Sequence, residues 1–362
     1  MTTSPTVHPF TALLQNAAAI VDVRSPGEFA KGAVHGAVNI PLFSNDERAE
    51  IGVLYKSLGK EFAIHRGLQH VGGKLSGFVG SFDRFRGKPL VVYCARGGMR
   101  SQAVVSLLAS LGFDVRRMEG GYKAYRNYVL AELERNIPPR MIVIHGQTGV
   151  GKTLLLNRLA NSLDLEGAAQ HRSSLFGGVN RAPRTQQQFE ADLLHRMLAL
   201  DPSRPVWIEG ESRKVGGVTI PEGLRRAMPA STCVLVTASM ETRITRIIAE
   251  YTGAPDGHAF EAETQAQLEA ALLTLRPFFG AARTEELLGL LRKGDLRPLV
   301  RTLLEEHYDP RYSHAMRNYA YALTVSSEDL DAAVAELKAF AESAEGLAFP
   351  APLTPVSNVA SS

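Results

Sequence analysis

Two glycine-rich stretches contain the residue types that could do chemistry in this chain. The first is Cys94-Ala95-Arg96-Gly97-Gly98-Met99-Arg100, in which a thiol is followed by glycines and two arginines. The second is Gly146-Gln147-Thr148-Gly149-Val150-Gly151-Lys152-Thr153, which matches G-x-x-x-x-G-K-[ST] at every fixed position. Both stretches predict a backbone that curls around an anion, because glycine lets successive N–H groups face one point.

The first stretch has the features of a reactive thiolate. Cys94 ends an apolar run and precedes a segment with helical spacing, which predicts a thiol at the N-terminus of a helix. The helix dipole and unpaired N–H groups lower the pKa of such a thiol, and Arg96 and Arg100 add positive charge. We therefore predict that Cys94, Arg96, Gly97, Gly98 and Arg100 are catalytic, stabilising a persulfide or binding a phosphate-like anion. A buried structural cysteine is the alternative.

The second stretch predicts a phosphate-binding loop formed by all eight residues from Gly146 to Thr153. Lys152 would meet the outer phosphate, and the Thr153 hydroxyl is a candidate ligand for Mg²⁺. The sequence contains no guanine-reading N-K-x-D motif, and the strand candidate Val206 to Glu211 has Glu where a nucleotide-binding domain normally has Asp. The sequence is therefore also compatible with a loop that binds a diphosphate other than a nucleotide. Further substrate or metal candidates are His171, Arg172, Ser173, Glu209, Glu211 and Arg213.

The elements that must position these residues alternate between short apolar runs and helical spacing, which predicts an α/β fold with parallel sheets. The predicted strands are 19–24, 34–40, 90–94, 114–118, 141–145, 206–209, 233–238 and 321–325. The predicted helical stretches are 101–111, 123–134, 152–163, 241–307 and 327–341. Tyr308 to Tyr312 is interpreted as a helix stop, and the Pro138-Pro139 pair as a domain boundary. This gives domains at 1–136 and 137–345, with a disordered tail at 346–362.

Composition bounds the function. The chain has 362 residues, two cysteines and a formal net charge of +3, which excludes a disulfide framework and a strong overall field for nucleic acid. The N-terminus lacks a secretory pattern, and the apolar runs are too short to cross a bilayer. We expect a cytoplasmic protein with no membrane association.

Three ordered segments resemble the rhodanese-like domain. Asp22 to Phe29 and Gly32 to Pro41 are similar to its opening signature, and Met118 to Tyr122 is similar to its closing signature. Cys94 falls where that family has its catalytic cysteine, which carries sulfur as a persulfide. Five residues separate Cys94 from Arg100, one more than in the common rhodanese loop. The longer spacing is also that of cysteine phosphatases, and a selenophosphate-sized donor would fit it better than thiosulfate.

The chain up to about Ala341 resembles the tRNA 2-selenouridine synthase family. The resemblance rests on both loops and on the segments Glu47 to Lys56, His171 to Gly177 and Trp207 to Ser212. It implies a rhodanese-like parallel-sheet domain followed by a P-loop NTPase-like α/β domain with helical additions.

The function that this resemblance implies has two steps. Wobble 2-thiouridine in the tRNA anticodon loop is geranylated with geranyl diphosphate, and selenium from selenophosphate then replaces the geranylthio group. The co-substrates are thus geranyl diphosphate and selenophosphate, with Mg²⁺ as a candidate, no tightly bound cofactor, and the selenophosphate-producing enzyme as a candidate partner. Cys94 would act as a perselenide or as a nucleophile.

Three other functions compete with this one. A persulfide sulfurtransferase coupled to an ATP-dependent P-loop domain is the main alternative. The spacing between Cys94 and Arg100 also suggests a cysteine phosphatase. A non-catalytic tRNA- or protein-binding adaptor is disfavoured because a pure binder needs neither loop.

Overall fold

The computed structural model describes residues 17–343 except 212, 254–259 and 318. The chain divides into two compact units, the first comprising residues up to Leu133 together with 185–195, and the second comprising 134–184 and the residues from 196 onward. Sequence analysis assigned 185–195 to the second domain. In the first unit, however, Thr185 Oγ1 donates to the carbonyl of Lys31 at 2.7 Å. The predicted tail at 346–362 lies outside the described residues.

The first unit contains a four-stranded parallel sheet in the order β2-β1-β3-β4. The strands are β1 (Ala19–Asp22), β2 (Val38–Asn39), β3 (Leu90–Tyr93) and β4 (Val115–Arg117). The helices are α1 (Pro26–Lys31), α2 (Asn45–Ser57), α3 (Lys60–Gly72), α4 (Leu75–Gly80), α5 (Met99–Ser110) and α6 (Gly121–Arg135). All of β3 is buried, and the cysteine loop follows the carboxyl end of this interior strand.

The second unit contains a five-stranded parallel sheet in the order β11-β10-β5-β7-β6. Its strands are β5 (Met141–His145), β6 (Ser162–Leu163), β7 (Val206–Glu209), β10 (Thr232–Thr237) and β11 (Tyr321–Ser326), while β8 (Lys214–Val215) and β9 (Val218–Thr219) form a separate hairpin. The helices from here on are α7 (Lys152–Leu156), α8 (Leu165–Ala169), α9 (Gln186–Leu198, shared with the first unit), α10 (Glu222–Ala227), α11 (Met240–Thr252), α12 (Ala262–Leu273), α13 (Arg276–Lys293), α14 (Leu296–Thr302), α15 (Asp309–Met316) and α16 (Leu330–Glu342). A π-helical turn, Leu303–Tyr308, joins α14 to α15.

Burial of apolar side chains accounts for the position of the central strand in each sheet. The central strands β3 and β5 are buried along their whole length, as a strand covered by helices on both faces must be. The second unit has two cores, one around β5 and one among helices α11 to α15. No helix over the described residues is both long and apolar enough to span a bilayer.

Three local predictions are wrong. The helix predicted over 152–163 ends at Leu156, because Asn161 takes a left-handed conformation (φ 60°) and its side-chain amide donates to the carbonyls of Asp201, Arg204 and Pro205. The strand predicted over 34–40 is only Val38–Asn39, since Gly36 (φ 74°) turns the chain before it.

The third error is the helix stop predicted at Tyr308 to Tyr312. There α15 begins at Asp309 and continues to Met316, with Pro310 in its first turn. The α-helical hydrogen-bond pattern is already interrupted just before Pro310, because the N–H of Asp309 bonds to the carbonyl of Leu304, five residues back, in the π-helical turn.

Candidate active sites

The cysteine loop in the first unit is held by the backbone at the start of α6. Tyr122 N–H donates to the carbonyl of Cys94, and Lys123 N–H to the carbonyl of Ala95, both at 2.9 Å. Gly121 (φ 57°) lies so close to the loop that a Cβ would fall 2.2 Å from the Cys94 carbonyl oxygen. The closing signature of the rhodanese-like domain therefore fixes the loop that carries the cysteine.

Cys94 is set up as a thiolate by its neighbours. Its Sγ lies 3.2 Å from the Ser101 hydroxyl, which is fully buried in the first turn of α5. Burial by itself would raise the pKa of the Cys94 thiol, but hydrogen bonds from Ser101 and Arg96 and the charge of Arg100 together lower it below its ordinary value. Arg100 acts on the thiol through its charge, whereas Arg96 acts through a backbone hydrogen bond.

The two arginines of the loop have different environments. Arg100 Nη1 donates to Glu28 at 2.7 Å, and Glu28 also belongs to the capping box that starts α1. Burial would raise the pKa of Glu28, but the bonds from Arg100 lower it, so the pair stays charged. Arg96 is exposed. Arg100 is thus fixed in place beside the thiolate, whereas Arg96 faces solvent.

The phosphate-binding loop in the second unit is braced through its carbonyl groups. Arg243 Nε donates to the carbonyl of Thr148, and Arg246 Nη1 to that of Val150, both at 2.8 Å. The Ser327 hydroxyl also donates to the Val150 carbonyl at 2.7 Å. In a trans peptide, C=O and the following N–H point in opposite directions. Turning these carbonyls outward therefore aims the N–H groups of the next residues toward the anion site.

The bracing arginine is itself fixed. Arg243 is 3% exposed and forms a two-point ion pair with Asp309, at 2.9 and 2.5 Å. Asp309 lies in the Tyr308 to Tyr312 segment, for which sequence analysis found no role beyond a helix stop. The segment thus supports the phosphate-binding loop.

The C-terminal end of the loop is linked to two carboxylates, Glu166 directly and Glu209 through Glu166. Lys152 Nζ donates to the Gly146 carbonyl at 2.9 Å, and the Thr153 hydroxyl donates to Glu166 at 3.2 Å. Glu166 also accepts the backbone N–H of Ser173 at 2.6 Å, and its own N–H donates to Glu209 at 2.7 Å. Glu166 thereby ties the loop to β7 and to the segment that follows α8.

Glu209 and Glu211 differ in access. Glu209 is 1% exposed, and burial together with nearby negative charge raises its pKa well above the ordinary value. Glu211 lines the cavity described next, where burial raises its pKa to about 7 against the lowering effect of Lys152. Near neutral pH, Glu211 is therefore poised to accept or donate a proton.

A cavity of about 480 Å³ opens from the phosphate-binding loop. Its polar lining includes Lys152, Thr153, Glu211 and three arginines: Arg172, Arg181 and Arg246. Its apolar and aromatic lining is formed by Phe176, Ile247, Tyr251, Val300, Leu303, Leu304, Tyr308 and Tyr312. A ligand that matches this cavity combines a multiply charged anion with an apolar body.

The remaining predicted residues lie in distinct places. Arg172 and Ser173 line the cavity, and Arg172 is paired with Glu250. His171 does not line it: its ring lies where a Cβ at Gly216 would be 2.5 Å away, and burial lowers its pKa. Arg213 is exposed on the approach to the β8–β9 hairpin. Glu166 and Arg243 had no signal in single-sequence motifs, because their roles depend on contacts between distant segments. Glu28 lies in the opening signature and Ser101 directly follows the cysteine loop, but the contacts of these residues with Arg100 and Cys94 were not predicted.

The donor set suits Mg²⁺ held jointly with phosphate oxygens. Thr153 and Glu166 supply neighbouring oxygen atoms at the end of the phosphate-binding loop. Within the described part of the chain, no group of three or more His, Cys, Asp or Glu side chains is arranged to hold an ion by itself. Mg²⁺ commonly binds through one or two protein oxygens plus substrate phosphates, where it neutralises phosphate charge.

Together, the thiolate loop on a rhodanese-like sheet and the braced P-loop on a second parallel sheet define a rhodanese and P-loop fusion enzyme. Comparison with family models matches residues 6–128 to the rhodanese-like domain and residues 139–343 to the tRNA 2-selenouridine synthase AAA domain. The chain is 35% identical over 329 residues to the tRNA 2-selenouridine synthase of Proteus mirabilis (strain HI4320), covering 84% of this chain and 90% of that protein. The chain belongs to the tRNA 2-selenouridine synthase family and is a tRNA-modifying transferase.

Among solved structures, the chain is similar to the N-terminal domain of a protein described as ATP/GTP binding, from Clostridium difficile 630. The match is 45% identical and covers 33% of this chain and 95% of the solved one, with a TM-score of 0.32.

Proposed function

We propose that this enzyme geranylates wobble 2-thiouridine of tRNA with geranyl diphosphate and then replaces the geranylthio group with selenium from selenophosphate. The observation that carries this proposal is the mixed lining of the cavity, which combines residues of the phosphate-binding loop with apolar and aromatic side chains. A prenyl diphosphate has the same two characters, a charged head and an apolar chain. The enzyme would act in the cytoplasm, where the selenophosphate-producing enzyme is its candidate partner.

The first step is a substitution at the first carbon of the geranyl group. The thiouridine sulfur attacks that carbon, the C–O bond to diphosphate breaks, and the departing diphosphate takes the electron pair. Backbone N–H groups of the loop and the charge of Lys152 would stabilise the diphosphate as negative charge develops on it. Arg246, which lines the same cavity, adds charge at this end.

Alkylation of the sulfur also requires the loss of the proton on N3 of the base. Three carboxylates line the cavity: Glu166, Glu211 and Glu250. Glu166 is engaged by Thr153 and by the backbone of Ser173, and Glu250 is paired with Arg172. We assign the proton to Glu211, which faces Lys152 and whose raised pKa of about 7 suits a general base near neutral pH.

The second step belongs to the cysteine loop. The wide loop would hold the tetrahedral oxyanion of selenophosphate, and the Cys94 thiolate would attack phosphorus. The P–Se bond then breaks, and the released selenide attacks C2 of the base and expels geranylthiolate, which takes up a proton. Water hydrolyses the S–P bond and releases phosphate. This sequence needs no oxidant or reductant. The anticodon loop must splay the base outward for either step.

The test is a reconstitution with purified protein, 2-thiouridine tRNA, geranyl diphosphate and Mg²⁺, followed by nucleoside mass spectrometry. We expect S-geranyl-2-thiouridine without selenophosphate and 2-selenouridine when selenophosphate is added. An unchanged nucleoside, together with ATP hydrolysis in a parallel reaction, would instead support the sulfurtransferase coupled to an ATP-dependent P-loop domain.

A further inference from the structure

A second, smaller cavity of about 60 Å³ lies among the helices of the second unit, next to the cavity of the phosphate-binding loop. We call it the inner cavity. Five residues line both cavities: Phe176, Ile247, Tyr251, Val300 and Leu303. The two spaces are therefore neighbours with a common wall, and the apolar lining of the first continues into that of the second.

The lining of the inner cavity is apolar and aromatic. Beyond the shared wall, it is lined by leucines of α12 to α14, among them Leu268, Leu272 and Leu291, which are at most 7% exposed. Such a lining offers a polar or charged group no replacement for its bonds to water, whereas a hydrocarbon gains by leaving water. The inner cavity thus selects for hydrocarbon.

The shared wall is formed partly by an irregular turn. Leu303 begins the π-helical turn Leu303–Tyr308, in which Leu303, Leu304 and Tyr308 are all buried and all line the first cavity. A π-helical turn is wider than an α-helix and is often found at functional sites. Here it lets residues of one turn face the same space, which widens the apolar route from the phosphate end.

We infer that the inner cavity receives the terminal isoprene unit of the prenyl diphosphate and sets the length of the chain that the enzyme transfers. This inference rests on the proposed use of a prenyl diphosphate at the phosphate-binding loop. The end of a geranyl chain would lie against Leu268, Leu272 and Leu291, and a longer chain would collide with these side chains. These leucines therefore set the limit on chain length, while the phosphate-binding loop binds the diphosphate head that all prenyl diphosphates share.

The test compares kcat/KM for dimethylallyl, geranyl and farnesyl diphosphates, using 2-thiouridine tRNA as acceptor. Leu272→Ala enlarges the end of the inner cavity that is lined by Leu268, Leu272 and Leu291. We expect it to raise the ratio of farnesyl to geranyl transfer about tenfold. Val300→Phe places a larger side chain in the shared wall and narrows the space beside it. We expect it to lower geranyl transfer about tenfold while dimethylallyl transfer is retained. The two substitutions move selectivity in opposite directions, which a general loss of stability would not do.

Leu288→Ala is the matched control. Leu288 is 2% exposed in the same helical core but lines neither cavity, so the same truncation there should leave the ratio unchanged. If Leu272→Ala and Leu288→Ala give the same ratio as the wild type while geranyl transfer persists, the inner cavity is only a packing space and the inference is wrong. If the wild type uses none of the three diphosphates, the proposed function itself fails.

Discussion

The two loops of this chain solve the problem of anion binding with different supports. Each follows the central strand of a parallel sheet, and each curls on glycines at the start of a helix. The cysteine loop is held by backbone N–H groups of Tyr122 and Lys123, whereas the phosphate-binding loop is held by the arginine side chains of α11. Backbone support keeps the cysteine loop compact around one reactive atom.

Side-chain support has another consequence. The arginine side chains of α11 bind carbonyl groups of the phosphate-binding loop, and Arg246 also lines the cavity that opens from this loop. The cysteine loop is thus suited to position a nucleophile, and the phosphate-binding loop is suited to bind a substrate and receive a leaving group. The following predictions test that separation.

The largest effect is expected for Cys94→Ser. Selenium incorporation should fall about a thousandfold or more because the nucleophile is lost, while geranylation continues at the wild-type rate. Cys233→Ser, at the other buried cysteine, is the control and should affect neither step. Phosphorus NMR of the wild-type reaction should show phosphate. Phosphite would mean that Cys94 attacks selenium and forms a perselenide, contrary to the proposed step.

Lys152→Ala should have the next largest effect. Geranylation should fall about a hundredfold or more, because one preorganised charge on the departing diphosphate is removed. Selenium transfer to tRNA that is already geranylated should be unaffected. Arg158→Ala, which removes an exposed cation from the same unit, controls for the change in net charge. Equal loss of both steps in the Lys152 variant would contradict a division of labour between the loops.

Arg243→Leu tests the support of the phosphate-binding loop. Removing one partner of a buried ion pair leaves Asp309 uncompensated and should cost about 3–5 kcal/mol of unfolding free energy, measured with urea. Glu241→Ala breaks an exposed ion pair on the same helix and should change stability little. If the two variants lose similar stability, Arg243 does not have the bracing role described above.

Glu211→Gln should give the smallest effect on stability, and its size should depend on pH. The folded-state pKa of about 7 exceeds the ordinary 4.5, so the folded wild type binds the proton more tightly and loses stability as pH rises through that window. Glutamine does not ionise, so the variant should gain up to about 3 kcal/mol relative to wild type by pH 8 and nearly nothing at pH 4.5.

The control for that experiment has the opposite sign. A hydrogen bond from Arg225 lowers the pKa of the exposed Glu222, so the folded wild type gains stability as its carboxylate ionises. Glu222→Gln should therefore become less stable relative to wild type as pH rises toward 4.5, with little further change between about pH 5 and 8. A gain for both variants would indicate a general effect of lost negative charge.

The sequence by itself determined the parts that depend on local spacing. Met141–His145 and Val206–Glu209 form strands where apolar runs predicted them, and both loops follow buried strands. The family and the α/β class followed from motifs whose residues are adjacent in the chain. The helix predicted over 152–163 is too long because distant contacts of Asn161 outweigh the local helical pattern. The stop predicted at Tyr308 to Tyr312 is wrong because the helix continues through a local stop signal.

Only the tertiary structure decided what surrounds each loop. Ser101 faces Cys94 because α5 turns back over the strand end, and Asp309 reaches Arg243 across 66 residues of chain. The cavity joins residues from the phosphate-binding loop, α11 and the π-helical turn, which no single spacing pattern connects. Local patterns specify backbone conformation, because the interactions that set it span a few residues. Burial, pKa and cavity shape depend on segments that meet only when the chain has folded.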